Sequence, residues 1–307
     1  MKNILFLVLA LLLASCINNN KVKEEEWVSI FNGKDLAGWT VKISGYPIGE
    51  NFKNTFMAAD GVLKANYNEY DTFNGEFGHI YYNEKLSSYK LRLSYRFTGD
   101  QVSGAPGWAF RNSGIMLHCQ DPATVTIDQD FPVSIEAQFL GGDGSTDRTT
   151  LNLCTPGTNV VMNGELITIH CINSTSETFH GDQWVNVEVI VYADSLVHHI
   201  VNGDTVITYG SPQIGGTNLP ENYPLPEGTL LDAGYISLQA ESHPVEFKEI
   251  KLLRLNAERY CSSLLYFFMI SRTSPTGRAS TVLPLYRAGF AAKRELIIAS
   301  SVASTTA

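Results

Sequence analysis

Short segments of alternating apolar and polar residues fill positions 27–255, separated by Gly, Asn, Asp and Pro. Because side chains alternate between the two faces of a β-strand, a period of two predicts strands with one buried face. Residues 90–95 alternate without interruption, and residues 167–172 are predicted to form one further strand. Asn202-Gly203 lies between two such segments and predicts a tight hairpin. A dozen or so short strands with no strand–helix rhythm indicate an all-β sandwich or jelly roll of antiparallel sheets.

The charge balance argues against a nucleic-acid partner. Asp and Glu outnumber Lys and Arg by 31 to 22, which gives a formal net charge of −9. Residues 256–307 hold six basic and two acidic residues, so this stretch carries +4 and the rest of the chain −13. Binding to nucleic acid needs a basic surface for the phosphates. Residues 256–307 are also rich in Ser, Thr and Ala and are expected to be a disordered tail, with a functional appendage as the alternative.

The first 26 residues have the pattern of an export signal followed by a tether. Lys2 provides a positive start, and the apolar run of residues 4–13 is too short to span a bilayer. Leu13-Ala14-Ser15-Cys16 resembles the lipobox of bacterial lipoproteins. The resemblance implies that residues 1–15 are removed, that Cys16 carries a lipid, and that residues 16–26 form a polar tether. The protein would then be held on the membrane of the bacterial cell envelope, facing the periplasm or the cell surface. A plain secretory signal with an incidental Cys16 is the alternative.

Polar residues share one face of three predicted strands. Glu136 and Gln138 alternate with apolar residues on one strand, and Gln239 and Glu241 do so on another. On a third strand, His118 is expected to face away from its apolar neighbours. If these strands are neighbours in a sheet, their polar faces would line one groove. The alternative is an ordinary solvated sheet face.

The strand that contains Glu136 can be compared with those of sugar hydrolases. Retaining and inverting glycosidases both require two suitably spaced carboxyl groups. Jelly-roll glucanases of glycoside hydrolase family 16 carry theirs on one strand as Glu-x-Asp-x-x-Glu. The similar strand here reads Glu136-Ala137-Gln138-Phe139-Leu140-Gly141 and lacks the second and third acids. Ordinary double-displacement hydrolysis at this strand is therefore disfavoured.

A set of motifs in residues 27–255 resembles the 3-keto-disaccharide hydrolase family, formerly a domain of unknown function. The motifs are Phe31-Asn32-Gly33-Lys34-Asp35-Leu36, Gly38-Trp39, Arg111-Asn112-Ser113-Gly114-Ile115, Ser134-Ile135-Glu136-Ala137-Gln138, Asn152-Leu153-Cys154-Thr155-Pro156-Gly157-Thr158, Trp184-Val185-Asn186, His199-Ile200-Val201-Asn202-Gly203, Gly234-Tyr235-Ile236-Ser237-Leu238-Gln239-Ala240-Glu241 and Val245-Glu246-Phe247-Lys248-Glu249-Ile250. Each motif is weak alone, but their order is informative. The resemblance implies a concanavalin A-like jelly roll that acts on carbohydrate, especially on sugars oxidised to a ketone at C3.

Such a substrate needs only one base. A ketone at C3 acidifies the proton on C2, and its removal lets the substituent on C1 leave, after which water adds to the enone. The site must supply a base and a stabiliser for the enolate oxygen, either fixed donors or a metal. We expect Glu136 or His118 to be the base, and Arg111, His118 or Gln138 to stabilise the oxyanion. Arg111 pairing with an acid and His118 satisfied by structural contacts are the alternatives.

Further residues are candidates for binding the sugar. Glu241 and His243 are predicted at a strand end, where sites often form, and Gln239 shares the polar face. His79 follows a glycine at a strand start and is a weaker candidate for the same groove. Trp108 is a candidate platform for stacking a pyranose ring, although a core tryptophan fits the pattern equally well.

The sequence leaves metal binding and disulfide formation open. A divalent ion held by residues from distant strands, such as His118 with His170 or Glu136, is one alternative. Cys154 and Cys171 flank a turn-rich stretch and are expected to form a disulfide in an exported protein. Cys119 is then expected to be a buried free thiol on the core face. In the competing interpretation, all three cysteines are reduced.

The sequence therefore supports three classes of function. The first is an enzyme that cleaves 3-keto-glycosides by elimination and hydration or by direct hydrolysis. The second is a carbohydrate-binding lipoprotein without catalysis, because one fold can serve both uses. The third and weakest is an adhesion module. Convergence of Glu136, His118 and Glu241 in one cleft would favour the enzyme.

Overall fold

The computed structural model describes residues 26–255. The predicted signal peptide (1–15), Cys16, the tether up to residue 25 and the predicted tail (256–307) lie outside the described residues. Residues 26–255 form seventeen β-strands and three single-turn 3-10 helices, Phe52–Asn54, Gly107–Ala109 and Pro122–Thr124. No helix in this part of the chain is long and apolar enough to cross a membrane.

The strands form two sheets. The larger sheet contains β1 (Val28–Ser29), β3 (Phe56–Ala59), β4 (Val62–Ala65), β6 (Ser88–Phe97), β10 (Thr158–Met162), β11 (Glu165–Ile167), β13 (Val185–Tyr192), β14 (Leu196–Val201), β15 (Asp204–Ile214) and β17 (Val245–Arg254). The smaller sheet contains β2 (Trp39–Ile43), β5 (Gly78–Leu86), β7 (Asn112–Cys119), β8 (Ile135–Leu140), β9 (Asn152–Cys154), β12 (Cys171–Ile172) and β16 (Gly234–Ala240).

Strand order places segments that are distant in sequence side by side. The larger sheet runs β11-β10-β15-β14-β13-β6-β17-β4-β3, with β1 beside β17, and the smaller runs β12-β9-β8-β7-β16-β5-β2. The pairings of these strands are antiparallel. The predicted antiparallel jelly-roll sandwich is confirmed.

The core lies between the two sheets. On β6 the side chains of Leu91 and Leu93 are buried while Arg92 points to solvent, as the alternation predicts. Tyr95 of β6 stacks on Phe139 of β8, with ring centroids 4.1 Å apart, and joins the larger sheet to the smaller. Burial of such apolar surface is the main force that holds the sheets together.

Two details of the strand prediction can be compared with the structure. Asn202 and Gly203 join β14 to β15 with φ of 49° and 97°, so the predicted hairpin is confirmed. The single strand predicted over residues 167–172 is wrong. The chain leaves the larger sheet at Ile167 and enters the smaller one at Cys171, so the segment is divided between β11 and β12. The sequence pattern also did not predict β2.

Candidate active site

The outer face of the smaller sheet carries the candidate site. On β8, the alternate residues Ile135, Ala137 and Phe139 enter the core between the sheets. Glu136 and Gln138 therefore project from the opposite face, as the sequence predicts. Glu136 is nevertheless only 6% exposed, so it lies in a recess rather than on an open surface.

The neighbouring strands extend this polar face. Met116 of β7 is the cross-strand partner of Glu136, and Gly114 is the partner of Gln138. On the far side of β7, β16 presents Ser237 and Gln239 on the same face, because Ile236, Leu238 and Ala240 are in the core. The predicted grouping of the Glu136 strand and the Gln239 strand is thus present, with β7 between them.

Gly114 creates the space that Glu136 occupies. A Cβ atom at Gly114 would lie 2.7 Å from Oε1 of Glu136 and 2.9 Å from its Cγ. The Glu136 side chain therefore lies across the β7 backbone, toward β16. Any larger residue at position 114 would displace the carboxyl group.

Glu136 and Glu241 form a buried carboxyl pair. Glu241 directly follows β16 and is 3% exposed. Burial raises the pKa of Glu136 to about 8. Burial and then the charge of Glu136 raise the pKa of Glu241 well above its usual value. Within residues 26–255, Oε1 of Glu136 and Oε2 of Glu241 have no hydrogen-bond partner. Because the charge of one carboxylate disfavours ionisation of the other, one member of the pair tends to stay protonated.

Gln239 and His79 offer polar atoms beside this pair. His79 of β5 is the cross-strand partner of Gln239. Both amide atoms of Gln239 and Nε2 of His79 are buried without a hydrogen-bond partner among the described residues. Burial, followed by the charge of Lys42, lowers the pKa of His79 to about 3, so this imidazole is neutral at physiological pH. Such orphaned groups are costly in a folded protein and indicate a ligand-binding surface.

An aromatic wall borders the polar face. Trp108 is 54% exposed and stacks on Phe77, with ring centroids 5.6 Å apart. Phe131 packs against Phe77 and also meets the edge of the His79 ring at 6.3 Å. Trp108 is therefore not a core tryptophan, and its exposed ring lies next to the polar face. This placement suits stacking against a sugar or another flat ring.

His118 does not share the face of Glu136, and that expectation is wrong. His118 has φ of 46° at a register shift between β7 and β16, which marks a β-bulge. The extra residue reverses the alternation, and Nε2 of His118 pairs with the carbonyl oxygen of Ala193, in the β13–β14 turn of the larger sheet. The same bulge places Cys119 on the Glu136 face, beside Met116 and Ser237, and not on the core face as expected.

Arg111 and His243 lie at the end of the sheet rather than beside Glu136. Nη1 of Arg111 donates to the carbonyl oxygens of Gly142 and Gly181, at 3.1 and 3.2 Å. His243 is fully buried, and its ring meets the edges of Phe97 and Phe110. Gln138 stays on the polar face, where its Oε1 accepts a hydrogen bond from Asn152.

The cysteines and the suggested metal ligands can also be located in the structure. Cys154 and Cys171 form a disulfide between β9 and β12, and Cys119 is a buried free thiol. His118 and Glu136 face opposite sides of the smaller sheet, so the suggested pairing of these two residues on one ion has no geometric support. Within residues 26–255, no three His, Cys, Asp or Glu side chains are grouped as a metal site would require.

Sequence reasoning missed several residues of the polar face. Lys42 of β2 lies opposite His79, and its Nζ donates to the carbonyl oxygens of Ile43 and Ile127. The alternation of Trp39-Thr40-Val41-Lys42-Ile43 carries the signal that would have found it. Asn112, with a buried Oδ1 that has no partner in the described part of the chain, was quoted only as part of a motif.

Comparison with known proteins identifies a family for this chain. A family model described as a 3-keto-alpha-glucoside-1,2-lyase-like domain matches residues 26–253. No curated protein gave a significant match.

Solved structures with a similar fold have low sequence identity. A candidate glycosyl hydrolase from Parabacteroides distasonis is 17% identical, with 78% of this chain and 99% of that chain covered and a TM-score of 0.46. A β-glucanase from Bacillus licheniformis is 12% identical, with 77% and 100% covered and a TM-score of 0.43. The carbohydrate-binding module CBM66 from Bacillus subtilis is 10% identical, with 70% and 95% covered and a TM-score of 0.40.

Proposed function

Because this chain belongs to the family of 3-keto-alpha-glucoside-1,2-lyase-like domains, we propose that it cleaves glycosides whose sugar carries a ketone at C3. The observation that carries the proposal is the buried pair of Glu136 and Glu241. Neither carboxyl forms an ion pair with a cation among residues 26–255, and both have a raised pKa. Groups of this kind can take up and release protons near neutral pH, which is what general acid–base catalysis needs.

The proposed reaction is elimination followed by hydration. The ionised carboxylate of the pair, assigned to Glu136, takes the proton from C2. The electrons of the broken C2–H bond move onto the C3 oxygen, which becomes an enolate. When the enolate collapses, the C3 ketone re-forms, a double bond forms between C1 and C2, and the bond between C1 and the leaving oxygen breaks. The protonated partner, assigned to Glu241, gives its proton to that oxygen. Water then adds at C1 and a proton returns to C2, so the net change is hydrolysis.

The enolate oxygen requires hydrogen-bond donors. Nε2 of Gln239, and His79 in the tautomer that carries hydrogen on Nε2, are proposed for this role because both nitrogens are buried and unpaired. Gln138 remains a further candidate. Arg111 and His118 are less suited, because their side chains hydrogen-bond to carbonyl oxygens away from Glu136. Fixed donors aimed at a developing oxyanion are typically worth a factor of about 100 or more in rate.

The test is turnover of a 3-keto-glucoside that releases a coloured phenol, compared with the same glucoside lacking the ketone. We expect only the ketone to react. Glu136→Gln should lower kcat/KM by roughly 100-fold to 10,000-fold, the usual worth of a general base. Glu165→Gln, at an exposed position on β11, is the matched control and should keep full activity. Full turnover by Glu136→Gln would remove Glu136 from the mechanism.

The second carboxyl also supports a competing reaction, direct hydrolysis by an acid–base pair. The two routes differ at C2. In heavy water, elimination and hydration place deuterium on C2 of the released sugar, whereas direct hydrolysis keeps the original hydrogen. A control without enzyme corrects for slow exchange beside the ketone. Recovery of bound but uncleaved substrate would instead favour a carbohydrate-binding lipoprotein, for which the exposed Trp108 is the supporting feature.

We also propose that the protein is exported and anchored by a lipid on Cys16. The disulfide between Cys154 and Cys171 supports export, because disulfides persist in oxidising compartments. In a bacterial host fed a labelled fatty acid, the native chain should become labelled and Cys16→Ser should not. Equal labelling of both chains would exclude the anchor.

A further inference from the structure

A pocket with no role in the steps above opens beside the candidate site. It has a volume of about 530 Å³ and is named the Trp108 pocket; its lining residues are Gly107, Trp108, Phe110, Asp143, Thr146 and Arg148. This volume lies within the range of ordinary small-molecule sites. One wall is an indole ring and another a guanidinium group, which together fit a ring that carries a negative charge.

The Trp108 pocket lies near the end of the sheet at which Glu241 follows β16. Asn112 opens β7 and its Nδ2 approaches the carbonyl oxygen of Trp108 at 3.5 Å. β7 runs antiparallel to β16, so Asn112 lies at the sheet end where Glu241 follows β16. For a substrate whose sugar lies over Glu136, the Trp108 pocket is therefore a nearby space for the C1 substituent.

Positive charge concentrates at this end of the site. Nη1 of Arg148 donates to the carbonyl oxygens of Phe110 and Gly141, and Nη1 of Arg111 donates to that of Gly142. Because residues 141 and 142 are consecutive, the two guanidinium groups are neighbours. Neither forms an ion pair with a carboxylate in the described part of the chain, and Nε of Arg111 is buried without a hydrogen-bond partner there.

Asp143 is the one acid in the lining, and its charge acts on Arg148 but offsets only part of the charge of the two arginines. Its two carboxylate oxygens accept four hydrogen bonds from Ser145 and Thr146, which commit them to the turn. Asp143 is also exposed, so water and salt screen its charge more than that of the half-buried Arg148. Arg148 in the lining and Arg111 just beyond it carry two positive charges against the one negative charge of Asp143, so this end of the site keeps a net positive charge.

We propose that the Trp108 pocket holds the leaving group of the substrate and selects a ring that bears a carboxylate, with the ring on Trp108 and the carboxylate on Arg148. This inference rests on the proposed function for the identity of the leaving group. It adds a substrate class, namely 3-keto-glycosides whose C1 substituent is acidic. Arginine is suited to this role because its planar fork matches carboxylate geometry.

Binding is measured first, because it does not depend on turnover. Two matched pairs of probes are titrated into the intact protein at low salt: 4-hydroxybenzoate with 4-hydroxybenzamide, and glucuronate with glucose. The carboxylate member of at least one pair should bind roughly tenfold or more tightly, and added salt should reduce the difference. Equal affinity within both pairs would overturn the proposal, and this comparison needs no variant.

Variants then assign the effect to the pocket. Arg148→Met should remove the preference for the carboxylate, whereas Arg254→Met, which breaks a surface ion pair with Glu84, should keep it. With 3-keto-glucosides of the same two phenols, kcat/KM should favour the benzoate in the native protein and become nearly equal in Arg148→Met. A preference that survives in Arg148→Met would place the anion elsewhere. Carboxylate binding without any turnover would instead contradict the proposed reaction and leave the pocket assignment standing.

Discussion

Replacing Glu136 by Gln should stabilise the protein above neutral pH while it removes activity. The folded protein holds the Glu136 proton up to a pKa of about 8, whereas the unfolded chain releases it near 4.5. Folding therefore becomes less favourable as pH rises from 4.5 to 8, because the buried group resists ionisation. The difference in pKa corresponds to at most about 5 kcal/mol at pH 8 and above. Gln carries no charge at any pH and avoids this cost.

The measurement is the free energy of unfolding in urea at several pH values between 5 and 8, for the native protein, Glu136→Gln and the control Glu165→Gln. The native protein and the control should lose stability together as pH rises. Glu136→Gln should lose less and should exceed the native protein by several kcal/mol at pH 8. A smaller slope should remain, because Glu241 is still buried. Parallel curves for the native protein and Glu136→Gln would refute the burial argument.

Three further predictions concern other parts of the sandwich. Gly114→Ala should reduce kcat/KM by roughly 100-fold in the coloured-phenol assay, because the new Cβ would displace the Glu136 carboxyl by about 1 Å. Loss of the Cys154–Cys171 disulfide, which spans 17 residues, should lower the free energy of unfolding in urea by about 3 kcal/mol. His199 has a pKa of about 4 in the fold, lowered chiefly by burial, so stability should fall by about 3 kcal/mol as pH drops from 6.5 to 4. His199→Gln should show a smaller fall, and an equal fall in both proteins would exclude this residue as the cause.

Sequence alternation predicted the faces of regular strands well. On β8 it separated Glu136 and Gln138 from their apolar neighbours, and on β16 it did the same for Gln239. These strands contain no bulge that shifts those positions, so a strict period of two holds. At His118, where φ is 46°, a bulge adds an extra residue, and His118 and Cys119 both lie on the face opposite to the one that strict alternation predicts. Nothing in a single sequence marks such a bulge, because it arises from pairing with β16.

Strand order was the other limit. The sequence does not reveal that β16 lies between β5 and β7, although this places Gln239 beside His79 on one side and β7 on the other. These contacts join residues more than a hundred positions apart, so local patterns cannot specify them. The short strand β2, which places Lys42 beside His79, was not predicted. Five alternating residues beside a turn do not distinguish a strand from a loop.

The two outer faces of the sandwich treat carboxylates in opposite ways. On the larger sheet, burial raises the pKa of Glu246, but hydrogen bonds from Lys64 and Arg96 outweigh this and hold it below its usual value. On the smaller sheet, Glu136 and Glu241 form no ion pair with any residue in 26–255, and their pKa values are raised. The fold pairs Glu246 with cations on one face but leaves Glu136 and Glu241 without ion pairs on the other. The second arrangement is unfavourable for the stability of the folded protein. Such local conflicts with stability are expected at functional sites. The contrast favours the outer face of the smaller sheet as the candidate site on physical grounds, independently of the family to which the chain belongs.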